Sequence, residues 1–301
     1  MRFRNLIVYR LDPQWKVQSR DLEHLLAARS LQPCNSFEME SHGWLPPKDS
    51  EPYLYTLNRH WLLTLGSEQK LLPASIIRQM AAERAAELEK KQGHSVGRKQ
   101  MREIKERVLD ELLPRALARR ARVSAWIDPE NRWFVVDASA DSKAERVLEN
   151  LRKSGSTFPV RRLDTEISPG TAMTGWLTQD EISADFTIDR DLELRGGDEN
   201  KATVRYANHT LEGGDVRAHI AAGKVATRLG ITWQNKISFV LTDNLQIKRV
   251  AFLNLLRSDG EQNATNKEEQ FDLDFTLMTG ELAQMLAALT QLLGGEKTAA
   301  A

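Results

Sequence analysis

The sequence predicts an α+β fold in which mixed antiparallel sheets carry a long basic helical hairpin. Three observations support this prediction. Segments with strand-like patterns come in clusters instead of alternating regularly with helices, which is typical of α+β proteins. Two helical patterns follow one another between Pro73 and Pro114. The chain has 301 residues, 41% of them hydrophobic and 28% charged, which is the composition of a globular protein with a sizeable core.

The first part of the chain contains the strands of a first sheet. The segment 3–11 is short and rich in Leu, Ile, Val and Tyr, which predicts a strand. A short helix is predicted at residues 21–29. Two prolines predict a rigid turn at residues 44–47, because each proline removes a backbone donor. Residues 53–57 and 61–65 then predict a pair of strands.

The helical hairpin is predicted from apolar periodicity and from the residues at its ends. Pro73 suits the first turn of a helix, where its missing N–H costs nothing, and this helix should stop near Gly93. A second helix follows Gly97 and continues until Pro114 breaks it. The apolar residues at helical spacing are Ile76, Ile77, Met80, Ala81 and Leu88, then Met101, Ile104, Val108 and Leu112.

Two more elements follow the helical hairpin directly. Residues 123–127 and 133–136 predict a β-hairpin, and an amphipathic helix is predicted from Ala144, Val147, Leu148 and Leu151. Residues 165–214 are polar and weakly patterned, with strand candidates near Phe186 and at residues 203–206.

The last part of the chain is predicted to combine strands with a terminal helix. Residues 230–241 and 245–253 predict a hairpin around Asp243 and Asn244. Alternating apolar residues at 271–277 predict a strand, and a stripe at residues 282–293 predicts a helix that stops at Gly294.

Charge is balanced over the whole chain but segregated along it. Basic and acidic residues both number 42, yet residues 78–122 hold thirteen basic and seven acidic residues, a net charge of +6. Residues 180–199 and 259–281 each have a net charge of −6. The basic segment is a candidate electropositive surface, and the alternative is that alternating charges only form solvated helix faces.

Motifs for catalysis are scarce. There is no phosphate-binding glycine loop, the six histidines lack metal-ligand spacing, and the single Cys34 has no second thiol. We therefore expect that the protein binds no cofactor or metal ion and is not an enzyme. The one enzymatic alternative rests on Asp272 and Asp274. On a strand both carboxylates would share one face, about 7 Å apart, and could hold a divalent cation in a nuclease. The same acids also suit the wet face of an amphipathic strand.

Two rows of cations favour binding of nucleic acid. Arg98, Arg102 and Lys105 are spaced i, i+4 and i+7, and Arg115, Arg119 and Arg122 repeat that spacing, so each trio would line one helix face. Such rows neutralise phosphates without reading bases, which predicts sequence-independent binding. No apolar stretch is long enough for a bilayer and none resembles a signal peptide, so we expect a cytoplasmic protein with no membrane partner.

Eight segments along the chain carry a resemblance to a known family. The segments are residues 3–11 (FRNLIVYRL), 43–47 (GWLPP), 71–73 (LLP), 112–116 (LLPRA), 126–128 (WID), 149–154 (ENLRKS), 222–227 (AGKVAT) and 271–282 (FDLDFTLMTGEL). No single segment is diagnostic, but their order across nearly all 301 residues is highly specific. With these segments, the whole chain resembles the RdgC family of bacterial recombination-associated proteins.

The resemblance implies a nucleoid-associated DNA-binding protein without catalysis. It implies a ring-shaped homodimer that encircles duplex DNA with little sequence preference. By occupying the duplex, such a ring would restrain RecA-type filaments in recombination and replication-fork processing. Binding of single-stranded DNA stays open, and so does a third class, a regulator that binds the recombinase through its acidic segments without contacting DNA.

The resemblance also extends the set of candidate residues. It adds Arg205, Lys224, Lys248 and Arg249 to the basic rows. The complete predicted DNA-binding set is Arg78, Arg84, Arg98, Arg102, Lys105, Arg115, Arg119, Arg122, Arg205, Lys224, Lys248 and Arg249.

The chain departs from the family pattern at two places. Relatives often carry an aromatic pair after LLPRA, where this chain has Leu117 and Arg120, which predicts a dimer gate closed by charge instead of an inserted aromatic. Relatives carry a lysine-rich tract where this chain has Ala207, Asn208 and His209, which predicts fewer phosphate contacts there.

The predicted organisation has four regions. Residues 1–75 form the N-terminal sheet part of a central α+β domain, and residues 123–165 complete that domain. Residues 76–122 form the basic helical hairpin, which is the tip or gate region, and residues 166–301 form a C-terminal α+β region that contributes to dimerisation.

Overall fold

A computed structural model describes residues 2–48, 50, 52–155, 157–179, 181–197, 201–211, 214–253 and 267–297. Twelve strands and seven helices lie within these residues. The strands are β1 (Leu6–Leu11), β2 (Glu40–Leu45), β3 (Leu54–Leu57), β4 (His60–Lys70), β5 (Ala118–Asp128), β6 (Trp133–Asp137), β7 (Val160–Arg162), β8 (Phe186–Gly196), β9 (Thr203–Tyr206), β10 (Lys224–Trp233), β11 (Ile237–Thr242) and β12 (Ile247–Phe252). The helices are α1 (Ser19–Ala27), α2 (Ala74–Gln92), α3 (Arg98–Leu112), α4 (Asp141–Lys153), α5 (Pro169–Gln179), α6 (Gly214–Ala221) and α7 (Lys267–Leu292).

The strands form one sheet, in which the named strand pairs are all antiparallel. The order is β2-β4-β5-β6-β1-β12-β11-β10-β8-β9, with β3 paired to β4 and β7 paired to β1. The α+β prediction is therefore confirmed. The sheet has an N-terminal half that ends at β1 and a C-terminal half that begins at β12. The two halves meet at one register pair, Leu6 with Ile247, next to a hydrogen bond from the Val250 N–H to the Arg4 carbonyl at 2.9 Å.

Two hydrophobic cores lie on the two faces of the sheet, because successive strand residues point to opposite sides. Leu6 and Val8 of β1 belong to a core covered by α5 and α7, which continues under both halves. Ile7 and Tyr9 belong to a second core, which α1 and α4 cover in the N-terminal half alone. The C-terminal half therefore has one face packed under helices and one polar face.

Helix α7 packs across the junction between the halves. Its residue Met278 accepts a hydrogen bond from the Phe3 N–H at 3.4 Å, and Tyr55 stacks edge-on against Phe271 and Phe275 at 5.3 Å. The same helix then continues over the C-terminal half, where Lys236 donates to Glu281 at 3.0 Å. Its buried hydrophobic residues are Phe275, Met278, Leu282, Met285, Leu286 and Leu289.

The prediction of a strand at residues 271–277 is wrong, because these residues are helical and lie in α7 from its second turn on. Alternation at Phe271, Leu273, Phe275 and Leu277 fits a strand locally. The spacing of Phe271, Phe275 and Met278 also fits a helix, and burial of that stripe against both halves decides the conformation. Leu273 and Leu277 are exposed as a result.

The helical hairpin is confirmed, but its strongly basic character is not. Gly97 precedes α3, and Gly93 ends α2 at a left-handed φ of 76°, which glycine adopts without steric cost. The helices pack chiefly on each other, and Ala81 and Ala85 of α2 and Val108 of α3 are buried. Residues 74–112 hold nine basic and seven acidic residues, a net charge of only +2. The excess arises after the hairpin, at Arg115, Arg119, Arg120 and Arg122.

Three further expectations need correction. Trp44 and Leu45 are the end of β2, so residues 44–47 are not all turn. Residues 230–241 are two strands, because Gln234 and Asn235 adopt left-handed φ values of 45° and 53° and reverse the chain. Helix α5 lies in the weakly patterned region and α6 begins at its last residue, and neither helix was predicted.

We expect Leu282→Ala to lower the free energy of unfolding by about 2–5 kcal/mol, because it leaves a cavity under the sheet. Leu282 has no exposed surface, whereas Leu277 on the same helix is 38% exposed. The control Leu277→Ala should change stability by about 0.5 kcal/mol or less. Chemical denaturation measures both variants, and equal losses would contradict the packing of α7.

Candidate nucleic-acid interface

The arginines after the hairpin lie on a strand and not on a helix. Pro114 sits in a single 3₁₀ turn, Leu113–Arg115, which ends the helical path. The strand β5 begins at Ala118 and pairs with β4 from Lys70 to Trp61. The predicted helix face of Arg115, Arg119 and Arg122 is therefore wrong. In a strand, neighbouring residues alternate between faces, so Arg120 and Arg122 share one face and Arg119 lies on the other.

The first half of β5 is an open edge of the sheet. The strand β6 pairs with β5 only at residues 125–128, and no strand among the described residues pairs with that edge at residues 118–124. Arg119, Arg120 and Arg122 are exposed there, and Leu117 just before them is 79% exposed. Arg115 is exposed on the preceding turn. The open edge of β5 thus presents guanidinium groups beside unpaired backbone groups.

A buried carboxylate orients one of these arginines. Glu68 of β4 accepts a hydrogen bond from Arg120 Nε at 2.7 Å and another from the Cys34 N–H at 2.9 Å. The Glu68 side chain is 8% exposed, and that of Arg120 is 66% exposed. The hydrogen bond from Arg120 lowers the pKa of Glu68. Arg120, predicted as a gate residue, is therefore held in place by an ionised partner, while Leu117 stays accessible.

The cation row on the hairpin is a true helix face. Arg98, Arg102 and Lys105 all lie in α3 and are all exposed, as their spacing predicts. Arg102 is paired with Glu106 at 3.0 Å, one turn further along. On such an exposed surface an ion pair of this kind contributes at most about 1 kcal/mol, so a phosphate can compete for the guanidinium.

The two predicted residues on α2 make contacts within the hairpin. Arg84 forms an ion pair with Glu111 of α3 and so ties the two helices together. Arg78 Nε donates to the Ala74 carbonyl at 3.2 Å. Both guanidinium groups are thereby less available to a ligand than those of α3.

A third group of cations lies on the polar face of the C-terminal half. Arg205 of β9 and Lys248 and Arg249 of β12 line a small pocket of about 50 Å³. Lys248 and Arg249 are neighbours in sequence, and both reach this pocket because a β-bulge, with Arg249 at φ 54°, interrupts the alternation of β12. Arg228 of β10 also lines the pocket and was not predicted, while Lys224, at the start of β10, does not line it.

Carboxylates from β8 accompany these cations. Asp191 accepts from Arg249 at 2.9 Å, and Glu193 lies 3.8 Å from Arg228. Asp189, on the same strand, is half-buried, and burial raises its pKa above the ordinary value. The acidic segment 180–199 is thus partly used to pair the basic groups of the same face. Asp180, residues 198–200 and residues 254–266 lie outside the described residues.

The structure does not bring Asp272 and Asp274 together as a metal site. In α7 the two carboxylates are about 200° apart around the helix axis. Asp272 accepts from Lys48 Nζ and Tyr55 OH, each at 2.6 Å, and Asp274 accepts from Gln270 at 2.9 Å. Among the residues that the structure describes, no three His, Cys, Asp or Glu side chains are grouped so that they could hold a metal ion.

The fold and the exposed cations define a class of protein. Among the described residues it is an α+β protein with one large sheet and with basic side chains on α3, at the open edge of β5 and on the polar face of the C-terminal half. Within the described part of the chain, no helix combines the length and apolar character needed to cross a membrane.

Comparison with known proteins identifies the family. A family model described as "Putative exonuclease, RdgC" matches residues 1–296. The chain is 51% identical over 296 residues to the recombination-associated protein RdgC of Janthinobacterium sp. (strain Marseille), covering 98% of this chain and 99% of that protein. It is 50% identical over 297 residues to that of Herminiimonas arsenicoxydans, covering 99% of each. The chain belongs to the RdgC family, as its sequence motifs indicate.

We expect Arg120→Gln to lower the free energy of unfolding at pH 7 by a margin that shrinks towards pH 3. The Arg120 guanidinium lowers the pKa of Glu68, so the pair stabilises the fold above the pKa that Glu68 has when unfolded. That contribution is lost as the pH falls through the lowered pKa of the folded state. Denaturation across the pH range measures it. The control Arg119→Gln, on the same strand, should show no such pH dependence.

Proposed function

We propose that this protein binds DNA without sequence preference as a ring-shaped homodimer and has no catalytic activity of its own. Duplex DNA passes through the ring. The ring restrains RecA-type filaments by occupying the duplex on which they act. It acts on nucleoid DNA, in recombination and replication-fork processing.

The observation that carries this proposal is the cluster of exposed arginines at the open edge of β5. Arg120 and Arg122 lie on one face of the strand and Arg119 on the other, with Arg115 on the preceding turn. Cations of this kind can neutralise backbone phosphates, and phosphate contacts carry no sequence information. The α3 face of Arg98, Arg102 and Lys105 adds a second cationic surface.

Binding to backbone phosphates is steep in salt, because each neutralised phosphate releases counterions from the DNA. Each of Arg102, Arg228 and Arg249 already has an acidic neighbour, so DNA phosphates exchange for carboxylates instead of meeting bare charge. The net charge of zero limits attraction at long range. A closed ring supplies retention, because a topologically linked protein must open before it leaves the duplex.

The proposed gate uses charge and a short apolar contact. Leu117 is 79% exposed, and Arg120 is held by Glu68 at the same end of β5. In a homodimer a two-fold axis brings this end of β5 against the same end of the partner subunit, where Glu68 of each subunit offsets the charge of its Arg120. The region 166–301 supplies the second interface of the ring.

A metal-dependent nuclease is the second candidate, because the family model is described as a putative exonuclease. Its predicted acids, Asp272 and Asp274, point to different sides of α7 and have local partners. Incubation of intact protein with duplex DNA and Mg²⁺, followed by a denaturing gel, distinguishes the candidates. Intact DNA supports the binding ring, and cleavage that Asp272→Asn abolishes supports the nuclease.

We expect the triple variant Arg98→Gln, Arg102→Gln, Lys105→Gln to weaken binding equally on two unrelated duplexes. The slope of log K against log salt should become shallower by about 0.9 for each phosphate that the variant no longer neutralises. Fluorescence anisotropy across a salt series measures both quantities. The control Glu103→Gln, Asp110→Asn removes two exposed acids from α3 and should not weaken binding. Unchanged affinity and slope in the triple variant would show that α3 is not part of the DNA interface.

We expect charge reversal at Arg115 and Arg119, both to Glu, to release the protein from closed circular duplex DNA at moderate salt. The reversed charges repel phosphates and also disturb the proposed gate. Retention is measured by gel filtration on circles, and the dimer by sedimentation. Reversal of the exposed Arg20 and Arg152, which lie outside the proposed interface, is the control. Full retention together with an intact dimer would count against the proposal.

A further inference from the structure

A pocket at the end of β1 collects three arginines from three separate segments. It has a volume of about 370 Å³ and is lined by Arg10 of β1, Arg161 of β7 and Arg132 from the turn between β5 and β6. None of these residues belongs to the surfaces described above. Asp12 and Glu296 also line the pocket, so it holds three cations and two carboxylates.

Arg10 and Arg161 are direct partners in the sheet. They occupy opposite positions of the β1–β7 pair, where like charges destabilise a sheet unless an anion lies between them. Glu296 supplies that anion here. One carboxylate oxygen lies 2.7 Å from Arg10 Nη2, and the other lies 2.7 Å from Arg161 Nη2. The pocket is therefore built to hold a two-oxygen face of an oxyanion between two guanidinium groups.

Arg10 is positioned before any ligand arrives. Its guanidinium stacks on the Trp133 ring at 3.8 Å from the centroid and donates to the Asn131 carbonyl at 2.6 Å. The side chain is only 12% exposed. Burial, together with the charges of Arg132 and Arg161, lowers the pKa of Arg10 below its ordinary value, although Glu296 acts in the opposite direction.

Arg132 provides a third cation that Glu296 does not neutralise. It is exposed, and no ion pair joins its side chain to any residue in the described part of the chain. Its backbone has a φ of 59°, which a residue with a long side chain adopts at some cost in energy. Asp12, whose carboxylate accepts from the Gln14 N–H at 2.7 Å, is the second carboxylate of the pocket, so three cations face two carboxylates.

We propose that Arg10, Arg132 and Arg161 form a phosphate-binding site in which the Glu296 carboxylate acts as an internal competitor. A phosphate group carries more charge and more acceptor oxygens than a carboxylate, and arginine forks bind it in the same bidentate manner. Glu296 is attached to a segment pinned by hydrogen bonds from the Glu166 N–H to Gly295 and from the Lys297 N–H to Asp164. Its side chain can therefore turn away while the backbone stays docked.

Isothermal titration calorimetry of the full-length protein with pyrophosphate tests this site. Arg132→Gln should weaken pyrophosphate binding at least about tenfold, because a charged donor is removed. Glu296→Gln should tighten binding by about tenfold, because the competing charge is removed. The control Arg152→Gln, an exposed arginine on α4, should leave the affinity unchanged. Thermal unfolding confirms that each variant is folded.

The opposite signs expected for Arg132→Gln and Glu296→Gln separate a built site from general attraction of anions. Equal affinity of wild type and Arg132→Gln, or weaker binding by Glu296→Gln, would overturn the proposal. Duplex affinity of Arg132→Gln identifies the source of the phosphate. If this substitution lowers the affinity for duplex DNA as well as the affinity for pyrophosphate, the site binds a backbone phosphate. If the affinity for duplex DNA is unchanged, the site binds a free phosphorylated molecule. Pyrophosphate binding is measured without DNA, so this test does not depend on the proposed DNA binding.

Discussion

The narrow join between the two halves of the sheet is the constraint on which the rest of the structure depends. Strands β1 and β12 share one register pair, Leu6 with Ile247, because β7 occupies the remainder of the same edge of β1. Such a short ladder contributes few hydrogen bonds, so continuity depends on burial of apolar surface across it. Helix α7 provides that burial, and its length of 26 residues lets it reach both halves. The Arg10 pocket depends on the same helix, since Glu296 follows directly from its end.

Acidic and basic residues balance each other over the whole chain and also in individual pairs on its surface. Glu68 accompanies Arg120, Asp191 accompanies Arg249, and Glu296 lies between two arginines. Each carboxylate offsets the charge of its arginine and helps to keep that guanidinium in a defined position. A surface of this kind stays compatible with the fold when no ligand is bound. It presents oriented donors to an incoming anion, whose binding then depends on exchange with an internal partner and on the ionic strength.

Sequence patterns predicted those elements whose ends carry a local signal. Gly93, Gly97 and Pro114 delimit the two helices of the hairpin, since each favours or forbids a backbone conformation regardless of its surroundings. Patterns failed where tertiary packing selects between two local possibilities. The alternation at residues 271–277 suits a strand and a helix equally, and the nuclease alternative depended on the wrong choice. Sequence spacing also could not place Lys248 and Arg249 in one pocket, because a bulge in β12 sets their directions.

The arginines on β5 have a second consequence that does not involve a ligand. A strand with one unpaired edge is a template on which further copies of the chain can add, and short uncharged edges of this kind seed fibres. Three guanidinium groups within residues 118–124 make stacking of identical edges unfavourable, since each added copy would bring like charges together. The same side chains therefore act as gatekeepers of solubility. Two effects restrict substitution at these positions. An apolar replacement would remove cations, and it would also create an aggregation-prone strand.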